Sequence, residues 1–178
     1  MARHIVLLRG INIGSRNRIS MPELREALED AGFKDVRTHL QSGNVVLTSN
    51  AKPESVARKC ERVIKKRFGL EIAVVVRTRA DLARIVKRNP LAKVAKYPKR
   101  YQVSFLAAKL AAKVVRELEA AAAESEQVVV IGREVYALHP ETIARSRLWT
   151  MLAGKGLGVT ATSRNWTTVE ALLALAEE

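Results

Sequence analysis

The first residues that could do chemistry lie in LLRGINIG, residues 7–14, where an apolar run gives way to polar residues and glycines. Arg9 and Asn12 alternate with Gly10 and Gly14 at the end of the first predicted strand. A strand that leads through a loop into a helix presents backbone amides, and an arginine beside them favours a carboxylate or phosphate. The segment has neither G-x-G-x-x-G nor a Gly-Lys-Ser/Thr ending, so it names no cofactor. A purely structural role, with the glycines turning the chain and Asn12 in a left-handed position, is the alternative.

Two further segments carry amides and an arginine at predicted element ends. Gln41 and Asn44 flank the tip of a predicted hairpin, and a hairpin tip needs such residue types in any protein. The Gln41 amide can also form hydrogen bonds with a ligand. Arg164 and Asn165 precede a predicted helix, where anions are favoured, and Ser163 or Asn165 can cap that helix. The candidate ligand-binding residues are therefore Arg9, Asn12, Gln41, Asn44, Arg164 and Asn165.

The charge of the chain favours an anionic partner. The net charge is +13, and residues 1–90 contribute +10 of it, from 19 basic and 9 acidic side chains. A net charge of this size predicts a polyanion as the first partner. Alternatively, the basic residues reflect genome composition or thermal adaptation, and the charge is only that of a solvated surface. The candidate nucleic-acid contacts lie on one predicted helix and are Arg58, Lys59, Arg62, Lys65 and Lys66. A solvated helix face is the ordinary alternative for them.

Several classes of site lack support in the sequence. Cys60 is the single cysteine and no Cys/His cluster has metal-ligand spacing, so we expect no disulfide, metal or cofactor, and a cytoplasmic location. No run of about 18 apolar residues occurs, so we expect no membrane partner. Neither an activated nucleophile nor a carboxylate pair stands out, and the pattern therefore predicts binding while leaving enzymatic activity open.

The hydrophobic pattern predicts the order βαββαβ in the first half of the chain. Ser20 and Glu23 form a capping box ahead of a helix that ends at Gly32, and Pro53 opens a second helix. Strands are predicted at residues 3–9, 36–41, 44–49 and 71–78.

The same order recurs after a short helix at residues 81–87. Strands are predicted at residues 101–107, 127–131, 134–138 and 158–162, with helices at 110–123, 145–153 and, at the C-terminus, 166–176. We therefore expect an α+β fold of two tandem ferredoxin-like subdomains packed together, with a C-terminal helix. Their predicted bounds are residues 1–79 and 101–178, and a helical, basic linker spans residues 80–100.

Four segments together resemble one family. LLRGINIG, LQSGNVVL, IARSRL and TSRNWTTV are similar, in this order, to signature segments of the bacterial domain-of-unknown-function family 1697. The resemblance implies tandem ferredoxin-like subdomains and brings no established activity or cofactor. The family's polar signature positions correspond here to Arg9, Gly10, Asn12, Gly14, Gln41, Ser42, Gly43, Asn44, Ser146, Arg164, Asn165 and Trp166. Thr142 stands where similar chains often have a glycine, so the loop before Ser146 is expected to differ in shape.

Three hypotheses follow. In the first, the six candidate ligand-binding residues converge in a cleft between the two halves and hold a phosphate- or carboxylate-bearing ligand. In the second, the basic helix and the linker lysines bind nucleic acid without catalysis. In the third, the signature polar residues are purely structural and form buried hydrogen bonds.

Overall fold

The computed structural model describes residues 1–154 and 156–178 and shows a mixed α+β protein. Within these residues there are six α-helices and two four-stranded antiparallel sheets. The chain divides into two compact units, Met1–Arg84 with Ala171–Glu178, and Ile85–Glu170. No helix of the described residues is long and apolar enough to cross a membrane.

The first unit is built around a sheet with strand order β2-β3-β1-β4. Its core lies between this sheet and the apolar sides of two helices, and Cys60 is part of that core. Burial raises the pKa of the Cys60 thiol to about 12, so it is an inert core residue. The elements in chain order are β1 (Ala2–Leu8), α1 (Met21–Asp30), β2 (Lys34–His39), β3 (Asn44–Ser49), α2 (Pro53–Phe68), β4 (Val74–Thr78) and α3 (Arg79–Arg88).

The second unit has a sheet with strand order β6-β7-β5-β8. Leu118, Leu148 and Leu152 pack on one side of this sheet, against Val135 and Ala137. The elements are β5 (Tyr101–Leu106), α4 (Ala112–Ala121), β6 (Gln127–Ile131), β7 (Glu134–Leu138), α5 (Arg147–Ala153), β8 (Ala161–Asn165) and α6 (Trp166–Glu177), and a 3-10 turn at Pro98–Arg100 precedes β5.

The starts of the first two helices and one hairpin match the sequence predictions. Ser20 caps α1 and accepts a hydrogen bond from the Glu23 N–H at 3.5 Å, and Pro53 stands at the start of α2. The strands β6 and β7 have the predicted bounds, because a two-residue turn at Gly132 fixes their register.

Two predicted strands were wrong in position. The strand predicted at residues 36–41 ends at His39, so Gln41 lies in the turn rather than at a strand end. The strand predicted at residues 158–162 is β8, Ala161–Asn165. Its polar residues pair with β5, and the hydroxyls of Ser104 and Ser163 are 2.6 Å apart. β5 and β8 are far apart in the sequence, so local hydrophobicity did not indicate the bounds of β8.

Gly43 is a position where the fold tolerates no side chain. It has a φ of +87°, and a Cβ there would lie 2.7 Å from Leu8 Cβ and 3.2 Å from the Ile11 side chain. We expect Gly43→Ala to lower the free energy of unfolding by about 1–3 kcal/mol, because it adds overlap to backbone strain. Gly69→Ala is the matched control, since Gly69 has a φ of +69° and no atom within 4 Å of its Cβ position. Equal losses for the two variants in urea unfolding would contradict the close approach.

Candidate functional site

Asn12 is the centre of the polar cluster that follows β1. Its φ of 53° lies in the left-handed region, as the structural interpretation of the sequence predicted. Its Oδ1 accepts a hydrogen bond from the Ile19 N–H at 2.8 Å, and its Nδ2 donates to the carbonyls of Ile19 at 3.0 Å and Gln41 at 2.6 Å. The amide therefore joins the loop, the residue before the α1 cap and the β2–β3 turn.

Other residues of the loop also form hydrogen bonds with each other. Gly10, Gly14 and Asn17 have positive φ angles of 67°, 58° and 49°. Asn17 Nδ2 donates to the Gly10 carbonyl at 2.9 Å, and the Arg18 guanidinium donates to the Gly14 carbonyl at 3.0 Å. Left-handed positions cost free energy and persist where surrounding contacts hold them, often at binding sites. Hydrogen bonds within the loop therefore support its left-handed positions. We call this segment, residues 9–19, the platform loop.

A groove of about 680 Å³ lies beside the platform loop. Asn12, Arg18, Ser20, Glu23 and Gln41 are among the residues that line it. The start of α1 contributes the positive end of the helix dipole, and Arg18 adds a full positive charge. Glu23 contributes a carboxylate to the same groove. The arrangement suits a ligand that has one anionic group and also a hydrogen-bond donor.

The other two candidates from the first unit do not line the groove. The Arg9 N–H donates to the Ala73 carbonyl at 2.9 Å, which fixes the chain as it leaves β1. Asn44 is fully buried, and its Nδ2 donates to the His39 carbonyl at 3.0 Å and to Ser42 Oγ at 2.9 Å. These contacts close the turn between β2 and β3.

Arg164 and Asn165 belong to the second unit. Arg164 is 8% exposed, and it donates to Thr162 Oγ1 at 2.7 Å and to the Ser163 carbonyl at 2.9 Å. Burial lowers its pKa to about 10, so it remains charged at neutral pH. Asn165 Oδ1 accepts the Thr168 N–H at 2.9 Å and caps α6, one of the two caps predicted. The convergence of these two residues with the first-unit set on one cleft stays a prediction.

The five basic candidates on α2 do not share one groove. Arg58, Arg62 and Lys65 line a groove of about 560 Å³, where Lys65 Nζ also lies 2.8 Å from Glu71 Oε1. Lys59 lies over the Phe33 ring at 4.7 Å. Lys66 lines a separate groove, with Asp30.

A carboxylate in the second unit holds two side chains that the sequence did not connect. Glu126 Oε2 accepts from Ser146 Oγ at 2.6 Å and from Nδ1 of the buried His139. Ser146 also accepts the Trp149 N–H at 3.0 Å and so caps α5. The carboxylate, not the imidazole, is bonded to the serine, so the order differs from that of a Ser-His-Asp triad. It fixes the start of α5.

Two residues of these sites were not nominated from the sequence. Arg18 lies in a loop that also contains Arg16, and no local sequence signal distinguishes the two. Only the structure shows that Arg18 lines the groove and Arg16 does not. Glu126 follows α4 in an acidic stretch, and nothing local marks it as buried. Among the described residues, no group of three His, Cys, Asp or Glu side chains is placed to hold a metal ion.

The platform loop lies in a part of the chain that matches a known protein family. The family model described as "Protein of unknown function (DUF1697)" matches residues 1–136. The chain belongs to this family. The matched DUF1697 region includes the platform loop and the β2–β3 turn, so the resemblance predicted from LLRGINIG and LQSGNVVL is confirmed.

A solved structure extends the likeness of this DUF1697 chain to its full length. The conserved bacterial protein SP0830 from Streptococcus pneumoniae is 21% identical, the match covers 98% of both chains, and the TM-score is 0.81. At this identity the match shows a shared fold. No curated protein matches the chain.

Glu126 should make stability depend on pH. Burial alone would raise its pKa, but hydrogen bonds from Ser146, the Ala123 N–H and His139 outweigh it and hold the pKa below the ordinary 4.5. A carboxyl with a lowered folded-state pKa stabilises the fold above its unfolded-state pKa, and that contribution disappears as pH falls through the folded-state value. Glu126→Gln should therefore cost about 1–3 kcal/mol at neutral pH and flatten the acid limb of the urea midpoint against pH. Glu124→Gln, a change in an exposed neighbour, is the control, and an equal effect of both variants would contradict this role.

Proposed function

We propose that the protein binds a small ligand carrying a phosphate or carboxylate in the groove beside the start of α1. The observation that carries this proposal is the fixing of Arg18 at the groove by the Gly14 carbonyl, on a loop that Asn12 holds in place. A guanidinium has five N–H donors, so one backbone contact orients it and leaves donors for an anion. The dipole of α1 acts in the same direction.

In this proposal, the candidate ligand-binding residues of the first unit have different roles. Gln41 is exposed in the groove and contributes ligand contacts. Asn12 and Asn44 have an indirect role, because their amides bind backbone groups, and we assign them the positioning of the loop and turn. Glu23 selects a ligand with a hydroxyl or amine near its anionic group.

Arg18→Gln should weaken ligand binding by about 10-fold or more, which corresponds to about 1.4 kcal/mol. The probes are AMP, citrate and inorganic phosphate, followed by NMR shifts of the Arg18, Gln41 and Asn12 side-chain signals. Arg16→Gln is the matched control, since Arg16 is an exposed arginine of the same loop that does not line the groove.

The outcome of that titration decides the proposal. AMP or citrate should shift these signals with saturation in the wild type and in Arg16→Gln, and the shifts should largely disappear in Arg18→Gln. No saturable shift with any of the three probes, or equal binding by the two variants, would refute a site in this groove.

A second candidate function is nucleic-acid binding along α2. The observation that favours it is the shared groove of Arg58, Arg62 and Lys65, on the half of the chain that contributes most of the positive charge. We keep Lys59 and Lys66 as peripheral contacts in this proposal, since they lie on other parts of the helix surface.

Arg58→Gln/Arg62→Gln should weaken binding to labelled single- and double-stranded DNA and RNA and lower the salt slope by about 2, since each arginine that contacts a phosphate releases a counterion. Lys109→Gln/Lys113→Gln removes the same charge from exposed positions of the second unit. Similar losses in both double variants would mean that net charge alone is responsible. No binding at low salt would exclude this function.

The finer fold and location are proposals as well. We propose two ferredoxin-like subdomains, residues 1–79 and 101–178, with a linker at 80–100. The matching strand orders β2-β3-β1-β4 and β6-β7-β5-β8 support the ferredoxin-like topology. The single cysteine supports a cytoplasmic location.

A further inference from the structure

β6 is an edge strand with none of the usual protection. It lies at one end of the second sheet, and β7 is its only partner strand within the described residues. Its five residues, Gln127–Ile131, contain no charge and no proline, and the register with β7 is regular. Such a strand presents backbone donors and acceptors to any other strand.

One of the two edge strands of the other sheet, β2, is different. β2 begins with Lys34 and carries Arg37, and its register with β3 shifts between these two residues. Asp35, between them, has a left-handed φ of 50°. A bulge and charges of this kind discourage pairing with another chain. β2 is therefore protected against pairing with another chain by features that β6 lacks.

The turn after β6 determines which backbone groups point outward. Gly132 and Arg133 form a two-residue turn that is closed by the pair Ile131 and Glu134. Because backbone groups alternate in an antiparallel pair, Val129 directs its N–H and C=O toward β7. Val128 and Val130 direct theirs away from the sheet.

We propose that β6 pairs antiparallel with β6 of a second copy of this chain and so forms a two-fold dimer. The stretch QVVVI is nearly symmetric about Val129, so the pairing places Val128 of each copy opposite Val130 of the other. Those two residues exchange their outward N–H and C=O groups. The Val129 side chains of the two copies lie opposite each other, and β-branched residues favour such cross-strand contacts.

The charge of the chain gives this dimer a particular salt dependence. Two copies of net charge +13 repel each other at long range, while the paired strands themselves carry no charge. Salt screens the repulsion, so the dimer should become stronger as ionic strength rises. Anion binding at either groove should weaken under the same change, which separates this proposal from the proposed functions.

Sedimentation equilibrium over a range of concentration and salt, together with residue-resolved amide hydrogen exchange, tests the proposal. The wild type should dimerise, and the amides of Val128 and Val130 should become protected only at concentrations where the dimer forms. Val129→Lys should weaken dimerisation by about 10-fold or more, because it places like charges opposite each other. Val130→Pro should do the same, because it removes an outward N–H.

Val129→Thr is the matched control, since threonine stays β-branched and uncharged, and it should dimerise like the wild type. Circular dichroism of each variant checks that the monomer is folded. A wild type that stays monomeric, or a dimer that survives in folded Val129→Lys and Val130→Pro, would overturn the proposal. Dimerisation without protection of the Val128 and Val130 amides would overturn it too.

Discussion

The hydrogen bonds of the Asn12 side chain are the interaction on which the first unit's candidate site depends. One amide joins the loop after β1 to Ile19, just before the α1 cap, and to the β2–β3 turn at Gln41. Aspartate would keep only the acceptor, and alanine would keep neither group, so asparagine alone satisfies these contacts in a left-handed conformation that it tolerates well. Arg18, on the same loop, donates to the Gly14 carbonyl and lines the groove.

The polar residues of the candidate sites therefore divide into two groups, according to the atoms that their side chains contact. Asn12, Asn44 and Asn165 direct their amides at backbone groups of turns and helix starts. This supports the structural hypothesis for these three residues. Arg18 and Gln41 instead present side chains to a groove, and the function proposed here rests on them. Residues that form the fold and residues that line the groove are neighbours in the sequence.

Local signals predicted much of the fold. The capping box at Ser20, the proline at the start of α2 and the two-residue turn at Gly132 each act within a few residues, and the structure has all three. The strand β8 was misplaced because its hydroxyls and Arg164 become acceptable in a buried strand only when β5 pairs with them. The candidate site was predicted in part for the same reason: Asn12 and Gln41 were found from residue type, whereas Arg18 and Glu126 acquire their positions from contacts distant in sequence.

The most direct test of this account is amide hydrogen exchange at Ile19 in Asn12→Gly, read by NMR beside urea unfolding. Glycine accepts the left-handed conformation, so the variant removes the side-chain hydrogen bonds without adding steric strain. The account predicts that the Ile19 amide exchanges much faster in the variant and that the free energy of unfolding falls by about 1–3 kcal/mol. An Ile19 amide that stays as protected as in the wild type, with unchanged stability, would contradict the central role of Asn12.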